Sequence, residues 1–137
     1  MSTLKTNTLT GTTSAGSILV TGEGGSTTTN LQQGLAKAWI NLDGTGTIGT
    51  NDSFNTGSIT DNGTGDYSIT ITNDMNNALY SYTFGERVSN YNSPQLSSAA
   101  GSGNEPAAGS IRIQAVKTGN NVVDANQACI TIHGDLA

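Results

Sequence analysis

Charged and aromatic side chains are scarce in this 137-residue chain. Five Lys/Arg and ten Asp/Glu give a net charge of -5, and aromatics make up 5% of residues. The five cations, Lys5, Lys37, Arg87, Arg112 and Lys117, are dispersed and form no basic stripe, which argues against nucleic acid as a partner. No long apolar run is present, so no membrane-spanning helix and no membrane insertion are expected. The N-terminus has no basic stretch leading into an apolar one, so no signal peptide is visible. A single cysteine, Cys129, excludes an intrachain disulfide and fits folding in a reducing cytosol. His133 is the sole histidine, Trp39 the sole tryptophan, and Pro94 and Pro106 the only prolines. Apolar residues amount to 34%. At this length a chain can bury a sizeable core. The composition makes that core thin, which suggests that another copy or a partner completes the burial.

Thr, Ser, Gly and Asn fill the gap. The stretch Lys37–Thr72 reads KAWINLDGTGTIGTNDSFNTGSITDNGTGDYSITIT. Short runs of alternating apolar and polar residues are separated by turn formers, the pattern of antiparallel strands joined by tight turns. Ala36, Ala38, Ile40 and Leu42 share one face of a strand; Lys37, Trp39 and Asn41 share the other. Gly46–Phe54 is a weaker strand. Asp61-Asn62-Gly63 predicts a turn. Tyr67, Ile69 and Ile71 point inward from the next strand, and Tyr80, Tyr82 and Phe84 share a face of another. Gly85–Gly109 reads as a long irregular loop. Ser110–Val116 and Gln127–His133 read as a hairpin pair joined by Thr118–Asn126. The expected fold is all-β, an antiparallel β-sandwich (jelly-roll-like) of about seven strands over residues 35–137. Residues 1–34 read as an extended N-terminal arm around two apolar clusters, Leu4–Leu9 and Ile18–Val20, with TGEGGSTTTN as linker; the alternative is two ordinary strands of the main sheet plus a loop. Leu31–Ala38 has room for one short helical turn.

Groups able to do chemistry are few. Gly44, Gly46 and Gly49 spell G-x-G-x-x-G after a strand, but a dinucleotide site needs a helix next, and Asn51-Asp52-Ser53-Phe54-Asn55 is not one. The glycines therefore read as turn residues. Asp43, Asp52, Asp61 and Asp66 fall in turns, where Asp is common, and their spacing matches no calcium loop. No pair of them has the spacing of catalytic carboxylates. His133 shares a strand face with Cys129 and Thr131. One chain lacks the ligands for a Cys/His metal site, although a threefold assembly could bring three copies of His133 to an axis. Cys129 as a nucleophile would need a base oriented by a third group. No cofactor is expected. Asn51 and Asn62 begin glycosylation patterns that carry no weight without a signal peptide. The remaining contact candidates are Trp39, Asp43, Tyr80, Tyr82, Arg87 and Tyr91, since aromatics and Arg anchor interfaces; the same aromatics also suit an ordinary sheet core.

Three blocks carry a resemblance. LAKAWINLDGTGTI, DSFN and SITDNGTGDYSITIT together resemble a module near the C-termini of tail-fibre-like proteins of tailed bacteriophages, notably those of marine and freshwater bacteria. AGSIRIQAV followed by ACITIHGD is similar to the closing hairpin of that module, and STLKTNTLTG with SILV is similar to the N-terminal segments of such fibres. The resemblance implies a non-enzymatic virion structural protein, commonly a homotrimer, with a β-rich tip for host attachment. The arm would anchor on other virion proteins. The Gly85–Gly109 loop and the turns at Asp43–Gly49 and Asp61–Asp66 would meet a host surface glycan or protein. Such fibres usually have a longer shaft; here arm and tip nearly abut, so a capsid decoration protein is the alternative.

Overall fold

The structure is a computed structural model that describes residues 3–14, 17–88, 95–98, 103–117, 119 and 121–137. The chain divides into two compact units, Met1–Leu35 and Ala36–Ala137.

In the first unit, β1 (Leu19–Thr21) pairs antiparallel with β2 (Thr28–Asn30) as a separate two-stranded sheet. The segment expected to be linker is thus the turn and second strand of a hairpin. The Gly22 N–H donates to Thr27 O at 2.8 Å, and Gly25 takes a left-handed φ of 72° that side-chain-bearing residues avoid. One helical turn, α1 (Leu31–Gly34), follows, its N-terminus capped by Asn30 Oδ1 accepting from the Gln33 N–H. Nothing described in this unit is buried, and Leu4, Leu9, Leu19, Val20 and Leu35 stand exposed. A two-stranded hairpin with no covered apolar face is at best marginally stable alone.

The second unit is an all-β sandwich of antiparallel strands. One sheet has the order β4 (Gly49–Phe54), β3 (Ala38–Asp43), β11 (Gln127–His133), β7 (Ser81–Arg87). The other runs β5 (Thr56–Gly63), β6 (Asp66–Ile71), β9 (Ser110–Lys117), with β8 (Gln95–Ser98) and β10 (Asn121–Val122) also pairing β9. The wiring rests on in-sheet hairpins: β3–β4 lies within one sheet and β5–β6 within the other. The two-residue period fills the space between the sheets as expected. Ala38, Ile40 and Leu42 face Ile130 and Ile132 of the same sheet and Tyr67, Ile69, Ile71, Ile111 and Ile113 of the other, all buried. An apolar gap among Ile40, Ile69, Ile111 and Ile130 measures about 10 Å³, one water's worth, too small for a ligand.

Several expectations need correction. The described sandwich has nine strands, not about seven. Ser110–Val116 and Gln127–His133 do not pair: β9 lies in one sheet and β11 in the other, between β3 and β7. The supposed Gly85–Gly109 loop begins inside β7 and contains β8. The turn after β5 falls at Thr64-Gly65, two residues later than expected, with Gly65 at φ 66°. Lys37 does not share an open face with Trp39; it is 5% exposed, and burial pulls its ammonium pKa down while the charge of Asp135 pulls it up.

The first glycine of the G-x-G-x-x-G has a packing reason. Gly44 lies over the buried Tyr67 ring, and a Cβ there would overlap its hydroxyl. That hydroxyl accepts from the Ala125 N–H at 3.2 Å and lies 3.4 Å from Asp124 Oδ1, which accepts from the Gly65 N–H at 2.8 Å. Gly46, at φ 64°, makes the turn itself. Gly44→Ala is expected to lose roughly 1.5 kcal/mol of unfolding free energy through overpacking. Tyr67→Phe in the same background should restore part of it. Urea unfolding of both variants checks this; an unchanged midpoint in Gly44→Ala would mean that Tyr67 yields freely.

Candidate functional site

The outer face of the β4-β3-β11-β7 sheet is the site the fold builds. Side chains alternate across a strand, so burying Ala38, Ile40 and Leu42 sends Trp39, Asn41 and Asp43 outward, and burying Ala128, Ile130 and Ile132 sends Cys129, Thr131 and His133 outward. Register then sets these residues in rows across the sheet. Phe54, Trp39, Thr131 and Thr83 lie directly opposite one another in turn, one from each strand. Asp52, Asn41, Cys129 and Gly85 form the next row. Gln127 faces Arg87 at one end, and His133 faces Ser81 at the other. Trp39–Phe54 and Asn41–Asp52 lie in one regular stretch of the β3–β4 ladder, and the register shifts only beyond it, between Asn41 and Leu42. Phe54 is 53% exposed and Trp39 half-buried. Gly85 has no side chain to cover Cys129, whose thiol burial shifts to a higher pKa.

Many polar side chains of this face are uncommitted. Among the described residues, the side chains of Trp39, Thr83, Arg87, Gln127, Cys129, Thr131 and His133 make no hydrogen bond or ion pair. Asn41 is engaged on its oxygen alone, which accepts from Asn51 Nδ2 at 3.2 Å. The outer face of the second sheet differs. There Arg112 grips Asp66 with two bonds of 2.8 Å and Asn104 with one of 2.7 Å. Asn62 donates to Ser68 at 2.8 Å, and the Ser58 N–H donates to Thr70 Oγ1 at 2.8 Å. Arg112 holds the Asp66 carboxyl below its ordinary range. The second sheet's outer face is centred on this ion pair, although among the described residues Thr60 and Gln114 there make no side-chain bond; on the first face the unbonded polar side chains lie beside Trp39 and Phe54.

The structure separates the sequence candidates. Trp39 and Arg87 lie on the outer face of the β4-β3-β11-β7 sheet. Asp43 lies at its end but is tied to its own turn: its Oδ1 accepts from the Thr45 N–H at 2.9 Å and the Thr45 hydroxyl at 2.6 Å, which lowers its pKa. Tyr80 and Tyr82 belong to the interior. Tyr80 is 8% exposed, its hydroxyl lies 3.1 Å from both Ala107 O and Ser110 O, and burial pushes its pKa up to about 12. Tyr82 packs between Tyr80 and Phe84, with ring centroids 6.2 and 5.1 Å away. Tyr91 lies outside the described residues. Cys129, Thr131 and His133 share a face as the two-residue period requires.

The aspartates do not converge. Asp52 accepts from the Ser53 N–H and Asp61 from the Gly63 N–H, so these two, like Asp43, serve local backbone while Asp66 serves Arg112. Among the described residues no three His, Cys, Asp or Glu side chains are grouped to hold a metal ion. Sequence reasoning named Thr131 on the face of Cys129 and His133 but did not set it, Phe54 or Thr83 beside Trp39. Their outward phase was readable, but not which strands stand side by side. Comparison of the chain with protein families, with curated proteins and with solved structures finds no match.

Proposed function

We propose that this chain is a non-enzymatic structural protein of a tailed-phage virion, a short tail fibre or fibre-tip protein that contacts the host surface through the outer face of the β4-β3-β11-β7 sheet. The observation that carries the contact role is the row on one outer face in which Trp39 and Phe54 stand beside uncommitted hydroxyls, where the other outer face centres on the Arg112–Asp66 ion pair. The virion setting rests on the resemblance of the three sequence blocks. The first unit supports an anchoring role, because Leu4, Leu9, Leu19, Val20 and Leu35 have apolar surface to bury against other virion proteins or further copies. Copies meeting there fit a homotrimer. That unit carries one acid and one base, Glu23 and Lys5, so copies meet there without charge repulsion.

Gold labelling of intact virions with antibody to this chain tests the reading. Label at the tail tip is expected. Label over the head makes the chain a capsid decoration protein, and absence from purified virions overturns both. The purified chain should sediment as a trimer; a stable folded monomer at micromolar concentration removes that part.

A further inference from the structure

We infer that the row Phe54–Trp39–Thr131–Thr83 binds a neutral oligosaccharide. The inference rests on the attachment reading and names the ligand class of the same face. Four observations carry it. The row lies on the outer face of a sheet and crosses four strands, about 14 Å at ordinary strand spacing. That span suits an extended chain of sugar rings better than one small molecule, which needs a pocket to bury most of its surface. At one end stand two aromatic side chains directly opposite each other with no ring contact between them, so their faces are not spent on one another. The electron-rich face of an aromatic ring attracts the polarised C–H groups that line one side of a pyranose. At the other end stand two threonine hydroxyls with no intramolecular partner, each able to donate and accept, as sugar hydroxyls require.

Charge sets the subclass. The row itself contains no ionisable side chain, Asp52 in the adjoining row is negative, and Arg87 lies at the far end of β7. The chain as a whole carries -5. A uronate, sialate or phosphate-bearing glycan would meet net repulsion, whereas a neutral one meets none. A protein partner is less well matched, since a protein interface centres on a fully buried apolar patch, and here the row gives way to short hydroxyls within two strands.

Trp39 is the chain's only tryptophan, so its emission reports on this row alone. The full-length chain is titrated with the hexasaccharides of glucose, mannose, galactose and N-acetylglucosamine, and with polygalacturonate as the acidic probe. At least one neutral hexasaccharide is expected to change the emission saturably, with a Kd of about 0.1–1 mM for a site on a sheet face. Polygalacturonate should not. Thr131→Glu, which leaves Trp39 in place, is expected to weaken binding at least about tenfold. Arg112→Ala, on the opposite outer face, leaves it unchanged. Trp39→Phe, followed by calorimetry, keeps part of the affinity. The inference is overturned if no neutral hexasaccharide changes the emission, if polygalacturonate alone does, or if Thr131→Glu binds like the parent. An emission change that depends on protein concentration without sugar makes the occupant a second copy and also overturns it. Virion labelling stands apart from all of these: tail label with no sugar binding removes the glycan and leaves the attachment reading in place.

Discussion

Asn55→Ala is expected to lower the unfolding free energy by about 3 kcal/mol, although the residue lies outside every strand. Asn55 joins β4, which ends at Phe54, to β5, which starts at Thr56, where the chain leaves one sheet for the other. It is the one non-glycine residue with positive φ among the described residues, at 54°. The side chain holds that conformation with four bonds. Nδ2 donates to Lys37 O at 2.9 Å and Asn73 O at 3.2 Å. Oδ1 accepts from the Asn73 N–H at 2.8 Å and from Asn73 Nδ2 at 2.9 Å. The first of these ties β4's end to the start of β3, and the others tie it to the end of β6. Alanine loses all four and keeps the left-handed strain of about 1–2 kcal/mol. Glycine loses the bonds but not the geometry, so Asn55→Gly should be about 1 kcal/mol more stable than Asn55→Ala. Asn55→Asp keeps the acceptor and turns the donor into a carboxylate facing two carbonyls, so it should do no better than alanine. Urea unfolding of the three variants decides the matter. Equal midpoints for Ala and Gly would show that the backbone is not held against its preference, and a parent-like Ala would remove Asn55 as the latch. The latch bears on the outer face because Phe54, the neighbouring residue, needs its position opposite Trp39.

The same corner shows what the sequence made legible. The inward phases of β3 and β6 follow from alternation alone, because burial of one face obliges every second residue to be apolar. Ala38, Ile40, Leu42, Tyr67, Ile69 and Ile71 could be placed without knowing a single partner strand. Pairing is a different kind of information. β9 and β11 each alternate cleanly and follow one another, so a hairpin was the local reading, but the connection between them crosses the sandwich and delivers β11 between β3 and β7. That one crossing creates the row through Thr131, which no local pattern encodes. The outward phase of Trp39 was legible from alternation, because Ala38 and Ile40 on either side of it take the inward phase. Tyr80 and Tyr82 were ambiguous because an aromatic run reads the same on either side of an edge strand until the facing residues are known. Lys37 misled for a related reason: its phase was right for an open face, but the sandwich closes over the start of β3.

Glu86 breaks the alternation, and its consequence is a stability that falls as pH rises. It follows Tyr82 and Phe84 on the inward side of β7 and lies opposite Ala128 of β11. Both carboxylate oxygens are sealed and have no hydrogen-bond partner, while the rest of the side chain is partly open. Among the described residues nothing charged faces it. The inward residues of β11 are Ala128, Ile130 and Ile132, and those of β9 are Ile111, Ile113 and Ala115. Arg87 points outward. Burial alone therefore raises the Glu86 pKa from 4.5 to about 7. Between these values the native chain holds a proton that the unfolded chain has released, so stability is greatest below 4.5 as far as this group is concerned and is lost as pH climbs through 7. With the side chain only partly shielded, the loss is expected to be about 2 kcal/mol between pH 5 and pH 8. Glu86→Met, similar in shape and without charge, should be more stable than the parent at both pH values. The gain should be about 1 kcal/mol at pH 5, from removing an unpaired polar group, and about 3 kcal/mol at pH 8. Titrations elsewhere cancel in the comparison of parent with variant, and the lowered carboxyls of Asp43 and Asp66 stay ionised throughout the window. A gain of the same size at pH 5 and pH 8 would show that Glu86 does not titrate in this range. A widening gain has a corollary on the other side of the same strand: Thr83 stands on β7 three residues from Glu86, so ionisation that loosens this edge also loosens one end of the Phe54–Trp39–Thr131–Thr83 row.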